Sequence, residues 1–395
     1  MSETDIRIEH IKIKNLIEFA ERAIGSAQEG QFVPITMQRA IAHAHNPYAA
    51  KDDIALLAAI DSDDEVVGYF GILPLLLRKA DELIKVHWFT TWLVSSKVRG
   101  RGVGSRLMHE ALTLDKDYLI VGSVHARRVC QKYGFWERQP LIYFWLDTTG
   151  MGRLNPLTWV LRLFRKMLHI LRVDKPAEIV NAATKSIDQA VAPLTQKIFY
   201  ALLTKAQAEI LEGFRFREVP QIHADPPNPT RRPKTELHRG VDAVNWMLSH
   251  PWVLETGHSV TENMDYYFSD ARPLYRLIAL EVYTHEDEYK GFVVFSVSQK
   301  GSGVMLKTLD YRFTNPSDYR CVLALAIKLG CQYQAETIEI PDEVAVHLKD
   351  SLLGKLLLHG KQRVYQCMPK AEDSPLAQSW QDITLHLYDG DMAFS

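Results

Sequence analysis

The chain has 395 residues, with 46 basic and 48 acidic side chains and a formal net charge of −2. Its length suits two or three domains, and its balanced charge gives no net field toward nucleic acid or acidic partners. The N-terminus lacks an apolar signal region and no run reaches 18 apolar residues, so we predict neither secretion nor a membrane span. Four scattered cysteines without a Cys-x-x-Cys pair predict a reducing compartment, hence a cytoplasmic protein, and no zinc site.

The first predicted elements are two strands and a helix. Residues 65–72 and 86–94 are rich in β-branched and aromatic side chains, which favour strands. In the segment 105–112, Leu107, Met108 and the residues one turn later form an apolar stripe at helical spacing. The pattern therefore predicts a strand, a connecting turn and an amphipathic helix.

The turn between these elements is Arg-Gly-Arg-Gly-Val-Gly at 99–104. Glycines allow close backbone approach, and the first amides of a helix point at a bound anion, so this segment predicts an anion site. Arg99, Arg101 and Arg106 add guanidinium donors that suit phosphate. The segment is not a Walker loop, because no Gly-Lys-Ser/Thr follows, and its glycine spacing does not fit Gly-x-Gly-x-x-Gly. The alternative is a surface turn with solvated arginines.

A second group of elements follows. The apolar run 118–124 predicts a buried strand, 126–133 a helix that ends at Gly134-Phe135, and 141–146 the next strand.

Taken together, residues 5–148 resemble the GNAT superfamily of acetyl-CoA-dependent acyltransferases, on Arg99-x-x-Gly102-x-Gly104 and the Gly134-Phe135 motif. The resemblance implies a GNAT-like mixed sheet flanked by helices, with acetyl-CoA as the acyl donor. It implies a pyrophosphate on the amides of 101–105 beside Arg99, and the thioester carbonyl near the last strand residues. The implied cofactor-binding residues are Leu93, Val94, Arg99, Gly100, Arg101, Gly102, Val103, Gly104 and Ser105.

The residues for proton transfer depart from the family's pattern. Cys130 stands where many members have a tyrosine acid, and Ser123 replaces the motif asparagine. A thiol can donate a proton to the leaving thiolate, or it can be a small residue that packs the helix. His125 is the first candidate for the general base, because it follows the second strand and a histidine titrates near neutral pH. Other candidates for the general base are His87, Glu137, Asp265, Tyr266 and Tyr267, whose positions relative to the site are less well defined by the sequence. Tyr133 is expected to pack in the core.

The middle of the chain is predicted to be helical. Residues 157–172 carry five basic side chains on one face and an otherwise wide apolar arc. This helix is either buried between domains or lies in a membrane interface as a peripheral contact, and the wide arc favours burial. A second helical stretch covers 177–211, and the proline-rich 225–233 predicts an extended connector.

The last part of the chain, 238–395, is predicted to be a second α/β unit. Its strands are expected at 274–283, 291–297, 304–310, 336–340 and 363–368, with a helix at 317–329. This order repeats that of the first domain and predicts a degenerate GNAT-like domain in tandem. Asn315-Pro316 stands where the glycine motif would be, so this unit should not bind CoA. The predicted division is 1–150, 151–237 and 238–395.

The resemblance implies an acyl-CoA-dependent N-acyltransferase with a small-molecule amine as acceptor. The layout is loosely similar to large GNAT proteins of bacterial surface-polysaccharide biosynthesis, which suggests an amino sugar. The alternatives are an acyl-CoA-binding or interaction protein without catalysis, and an acetyltransferase of protein lysines. The sequence indicates no oligomeric state.

Overall fold

The computed structural model describes residues 6–149, 174–227, 235–268, 270–301 and 303–394. The predicted amphipathic helix at 157–172 and the connector residues 228–233 lie outside the described residues. Within the described part, no helix is both long enough and apolar enough to cross a membrane.

The strands span a wide range of lengths. In chain order they are β1 Arg7–Lys12, β2 Ile54–Ile60, β3 Val66–Lys79, β4 Glu82–Val94, β5 Tyr118–Ile120, β6 Trp136–Glu137, β7 Leu141–Asp147, β8 Arg215–Val219, β9 Thr235–His238, β10 Leu254–Glu255, β11 Ala271–Arg272, β12 Tyr275–Tyr283, β13 Tyr289–Lys300, β14 Gly303–Phe313, β15 Thr337–Pro341, β16 Leu358–Arg363 and β17 Gln366–Met368.

The α-helices are mostly short, with one long exception between the two halves of the chain. They are α1 Leu16–Gly25, α2 Met37–Ala44, α3 Val103–Thr113, α4 Val124–Lys132, α5 Asp174–Glu212, α6 Val241–Ser249, α7 Tyr319–Gln332, α8 Asp342–Lys349, α9 Leu352–Leu357 and α10 Pro375–Ser379. Short 3₁₀ turns occupy 13–15, 96–98, 316–318 and 390–394.

The chain forms two compact units. Unit 1 gathers Met1–Leu141, Glu218–Ala279 and Gln362–Ser395, and unit 2 gathers Ile142–Arg217 and Leu280–Lys361. Each unit is therefore built from segments that are far apart in the sequence.

Unit 1 is built on a mixed sheet with the order β1-β2-β3-β4-β5-β17-β6, and β9 pairs with the far end of β3. Successive strand residues point to opposite faces, so the sheet has two cores. On one face Phe70 and Phe89 pack with Leu107 and Met108 of α3. On the other face Tyr69 packs with residues of α1 and α2. The α3 face carries the predicted anion loop.

Unit 2 contains the second sheet, with the order β16-β7-β15-β14-β13-β12-β8. Its β13–β14 hairpin has a register shift at Val294/Phe295, and β14 pairs in parallel with β15 over three residues only, ending at Lys307 opposite Glu339. Helix α7 follows β14, and its residues from Cys321 to Gly330 are buried except for Lys328. The predicted α/β fold with two mixed sheets is confirmed.

The two units differ from the three consecutive segments that the sequence predicts. The strand expected at 363–368 pairs with β5 and β6 in the first sheet, and the strand expected at 141–146 pairs with β15 in the second. Short strands carry the same apolar signal whichever sheet they join, so their pattern does not reveal the partner.

Candidate functional site

The glycine-rich segment forms a tight turn between the end of β4 and the start of α3. Gly100 has φ +84° and Gly102 has φ +73°, and Gly102 is the N-cap residue of α3. Both φ values lie in the left-handed region, which glycine adopts without the steric cost that a Cβ brings. Val98 and Val103, on either side, are buried in the α3 core and hold the turn against the sheet.

The first turn of α3 presents its backbone amides at this turn. The helix supplies no carbonyl four residues back for the amides of Val103, Gly104 and Ser105. The Arg101 amide, by contrast, donates to the Val98 carbonyl at 3.2 Å. The amides that remain for the predicted anion are therefore the helix amides from Val103 onward, where the helix dipole favours negative charge.

The three arginines near the loop have different surroundings. Arg99 and Arg101 are exposed. Arg106 is half-buried, and its guanidinium donates to the Ile6 carbonyl at 2.7 Å. This bond ties α3 to the chain entering β1, and the role of Arg106 as a phosphate donor stays a prediction.

The strands β4 and β5 separate next to the loop. Their parallel pairing covers three residues and ends at Phe89 opposite Ile120, while β4 runs on to Val94. The register between β3 and β4 shifts at Gly71: this single residue of β3 lies opposite two residues of β4, Thr90 and Thr91. Such a bulge redirects a strand and its backbone groups. The result is an opening between β4 and β5 beside the start of α3.

The amide directions at the end of β4 follow from its pairing with β3. The Ser95 amide donates to the Val67 carbonyl. Because the amides of successive strand residues point to opposite sides of the strand, the Leu93 amide also points toward β3. The amides of Trp92 and Val94 then face the opening. Of the two predicted carbonyl-binding residues, Val94 has its amide on the side of the opening, whereas Leu93 does not.

Gly104 lies where α3 meets the end of β4. A Cβ at this position would lie 3.4 Å from Val94 Cγ2 and 3.6 Å from Trp92 Nε1, which is ordinary contact. A side chain longer than a methyl group would therefore extend along the opening or over the loop amides.

The second motif begins on a capped helix. Ser123, which replaces the family's asparagine, accepts a hydrogen bond from the Ala126 amide at 3.3 Å and caps α4. His125 is exposed in the first turn of this helix. The strand β5 is shorter than the predicted 118–124, because residues from Ser123 onward enter the helix cap.

Cys130 lies in the interior. It is 0% exposed, belongs to the α3 core beside Phe135, and burial raises the pKa of its thiol to about 11. These surroundings are those of a packing residue.

We expect Cys130→Ala to lower the free energy of unfolding by about 1 kcal/mol, as loss of a small buried group does, while turnover changes less than about twofold. Urea unfolding and steady-state rates on the same samples measure the two effects. A loss of turnover beyond about a hundredfold with unchanged stability would instead identify the thiol as the acid.

Tyr133 and Glu137 have hydrogen-bond partners near the two motifs. The Tyr133 hydroxyl donates to the Ser105 carbonyl at 3.4 Å, and the ring packs on the edge of the core. With Arg106, His109 and Glu110 it lines a surface cavity along α3. Glu137 accepts from Arg127 at 2.6 Å and from Gln131 at 2.8 Å, so its carboxylate is engaged at the end of α4.

On the opposite face of the sheet, the structure brings together residues that the sequence does not connect. The Arg39 guanidinium of α2 lies 4.5 Å over the Trp252 ring, 5.6 Å over Tyr266 and 5.7 Å over Phe268. The Tyr69 ring of β3 stacks on Tyr266 at 6.2 Å with 17° between the planes. We call these five residues the Arg39 cluster.

The segment around Tyr266 is held against the start of the chain. Gly30 donates to the Asn263 carbonyl and Val33 to the Asp265 carbonyl, and Asp265 donates to Gln31. Tyr266, predicted as a site candidate in a second domain, therefore belongs to unit 1. No signal within 30–40 or 260–270 alone indicates this pairing.

Within the described ranges, no group of three or more His, Cys, Asp or Glu side chains is arranged to hold a metal ion.

Sequence comparison assigns a family to this part of the chain. Residues 24–135 match the profile of the Acetyltransferase (GNAT) family. The chain carries a GNAT-family acetyltransferase domain. The matched segment contains β2 to β5, the glycine loop and α3, and it ends at Phe135, so the acyl-CoA loop predicted from the sequence lies inside it. No curated protein gives a significant match.

Solved structures with similar folds share little sequence identity with the chain. A GCN5-related N-acetyltransferase from Anabaena variabilis is 11% identical, with 92% of this chain and 73% of that one covered and a TM-score of 0.42. A probable N-acyltransferase from Enterococcus faecalis is 9% identical, with 93% and 73% covered and a TM-score of 0.46. N-myristoyltransferase from Saccharomyces cerevisiae is 9% identical, with 92% and 82% covered and a TM-score of 0.43.

Proposed function

We propose that the protein is an acyl-CoA-dependent N-acyltransferase that transfers an acetyl group to an amine of a small molecule. One observation carries the proposal. The glycine turn at Gly100 and Gly102 aims the first amides of α3 at the mouth of the opening between β4 and β5. An anion site beside a strand opening suits a donor with a pyrophosphate and a long, thin arm.

The reaction requires the protein to position the amine against the thioester and to stabilise the negative charge that develops on the carbonyl oxygen. The amine attacks the thioester carbonyl, the C–S bond breaks, and CoA leaves as a thiolate that takes up a proton. The amides of Trp92 and Val94 face the opening and would stabilise the oxyanion that develops on the carbonyl. His125, exposed at the start of α4, is proposed to accept the proton that the acceptor's ammonium group loses to become the attacking amine.

For the acceptor, we propose an amine on a small molecule such as an amino sugar. The support is the loose resemblance in layout to GNAT proteins of surface-polysaccharide biosynthesis, together with the buried polar and aromatic Arg39 cluster, which suits a small ligand better than an open peptide groove.

The test is the release of CoA thiol from acetyl-CoA in the presence of a panel of primary amines, with product identified by mass. We expect amine-dependent release by the wild type. His125→Gln should lower kcat at least about tenfold, with the KM for acetyl-CoA unchanged. Acetyl-CoA binding without transfer to any amine would favour the non-catalytic binding protein. Transfer to lysine peptides alone would favour a protein acetyltransferase.

A further inference from the structure

The bulge in β4 brings two threonine hydroxyls together at the inner end of the opening. Gly71 of β3 lies opposite both Thr90 and Thr91. A Cβ at Gly71 would overlap the Thr90 Oγ1 and would lie 2.8 Å from the Thr91 Oγ1, which is too close for real atoms. Any other residue at position 71 would therefore displace the hydroxyls. A glycine within a strand often marks such a close approach, and here it lets two oxygens converge on one point.

Both hydroxyls lie on the face of the sheet opposite α3. Gly71 is paired with Leu56 of β2, whose side chain belongs to the core on that face, and paired residues point the same way. The oxygens that surround the missing Cβ of Gly71 are therefore on that face as well. A donor held by the loop on the α3 face leaves this opposite face of the opening to the acceptor.

The two threonines lie beside the proposed reaction centre. Phe89, the last residue of β4 that pairs with β5, directly precedes Thr90. Trp92, whose amide faces the opening, directly follows Thr91. Successive residues of a strand are about 3.3 Å apart. A nitrogen bound by the hydroxyls would therefore be near a carbonyl carbon whose oxygen is held by the Trp92 amide.

The fold itself does not engage the two hydroxyls. Thr91 is 6% exposed and Thr90 is half-buried, and neither side chain forms a hydrogen bond with another residue in the described part of the chain. Polar groups that are shielded from water usually have a partner. Each hydroxyl oxygen keeps lone pairs that accept from an N–H group, so together they form a pair of acceptors at the opening.

A primary amine matches two converging acceptors. Its nitrogen carries two N–H donors and one lone pair, so both donors can bond to the threonine oxygens while the lone pair points at the carbonyl carbon. A secondary amine has only one such donor. We propose that Thr90 and Thr91 bind the attacking nitrogen and restrict the acceptor to primary amines. This inference rests on the proposed function and narrows its acceptor from amines in general to primary amines.

The threonines position the nitrogen and exchange no proton in the reaction. The lone pair of the nitrogen forms the C–N bond as the C–S bond breaks. The nitrogen then loses one of its two protons, and the CoA thiolate takes up one, so the products are an amide and CoA thiol. The contribution of the two hydroxyls is the orientation of the lone pair toward the carbonyl carbon.

The test compares primary amines with their N-methyl derivatives. The pairs are ethanolamine with N-methylethanolamine, butylamine with N-methylbutylamine, and glucosamine with N-methylglucosamine. The ratio of kcat/KM within each pair is measured on the full chain from the release of CoA thiol. We expect the wild type to prefer the primary amine at least about tenfold in one or more pairs, because the N-methyl compound leaves one threonine oxygen unpaired.

Variants then assign the preference to the two hydroxyls. Thr90→Val and Thr91→Val keep the shape of the side chain, so the steric effect of the N-methyl group stays the same, and each should lower the ratio at least about fivefold. Thr90→Ser and Thr91→Ser keep the hydroxyl and should keep the preference. The matched control is Thr308→Val: this buried strand threonine of unit 2 also has a hydroxyl without a partner in the described chain. It should leave the ratio unchanged.

The possible outcomes separate this inference from the proposed function. A ratio that falls in Thr90→Val and Thr91→Val, with the melting temperature and the KM for acetyl-CoA unchanged, supports the inference. It is overturned, while the proposed function stands, if primary and N-methyl amines react equally well or if both valine variants keep the wild-type ratio. If CoA binds and no amine is acetylated, the proposed function fails and the inference fails with it.

Discussion

Gly104→Asp is expected to abolish acetyl-CoA binding while the protein stays folded. The Cβ has room, since it would lie 3.4 Å from Val94 and 3.6 Å from Trp92. The carboxylate, however, would stand in the first turn of α3, among the amides that face the pyrophosphate. It would place like charge against the ligand and compete for its donors, so we expect affinity to fall at least about a hundredfold. Calorimetry with acetyl-CoA on wild type and variant measures the loss.

The matched control is Gly104→Asn, which has the same size without the charge. It should retain more affinity than Gly104→Asp, and the difference should shrink at high salt because an exposed charge is screened. Melting temperatures of the two variants should agree within a few degrees. Micromolar binding by Gly104→Asp would contradict the placement of the donor site at this loop.

The glycine-rich loop at 99–104 could be predicted from sequence because its determinants are local. A strand, a turn that needs glycine and an amphipathic helix all lie within 86–113, and the left-handed Gly100 and Gly102 are where the pattern places them. Helix α3 and strand β4 were likewise predicted close to their observed bounds. Arg106 shows the limit of this reasoning, because its partner, the Ile6 carbonyl, is a hundred residues away.

The Arg39 cluster could not be predicted in the same way. Arg39, Tyr69 and Tyr266 lie on a helix, a strand and a loop that are brought together by tertiary packing. Nothing within each segment distinguishes a site residue from a core residue. A buried arginine in α2 and a tyrosine in the largely apolar β3 are the available signals, and each also occurs in ordinary cores.

The same limit applies to Cys130. Its position in the family's motif made it a candidate acid, and its burial in the α3 core makes it a packing residue. Motif alignment gives a place in the sequence, whereas the direction of a side chain depends on which helix face the sheet covers.

A fragment of residues 1–150, the first domain predicted from the sequence, is expected not to fold. It lacks β17, which lies between β5 and β6 in the first sheet, and it lacks β9 beside β3. It also lacks buried side chains of unit 1 such as Tyr365, Cys367 and Trp380. We expect no cooperative thermal transition and no acetyl-CoA binding from this fragment, measured by circular dichroism and calorimetry, with the full chain as reference.

A point variant tests the same dependence in the intact chain. Cys367→Pro removes a backbone donor from the middle of β17, where Cys367 is paired with Leu119 on one side and Trp136 on the other. It should cost about 3 kcal/mol or more of unfolding free energy. Cys367→Ala keeps the amide and should cost clearly less.

If the fragment melts cooperatively and binds acetyl-CoA, β17 is dispensable and the donor site belongs to a domain that is complete by residue 150. If the fragment neither melts cooperatively nor binds acetyl-CoA, the donor site depends on β17, which lies more than two hundred residues further along the chain than β5. The pairing with β17 then holds β5 in place, and β5 forms one side of the opening that the loop faces.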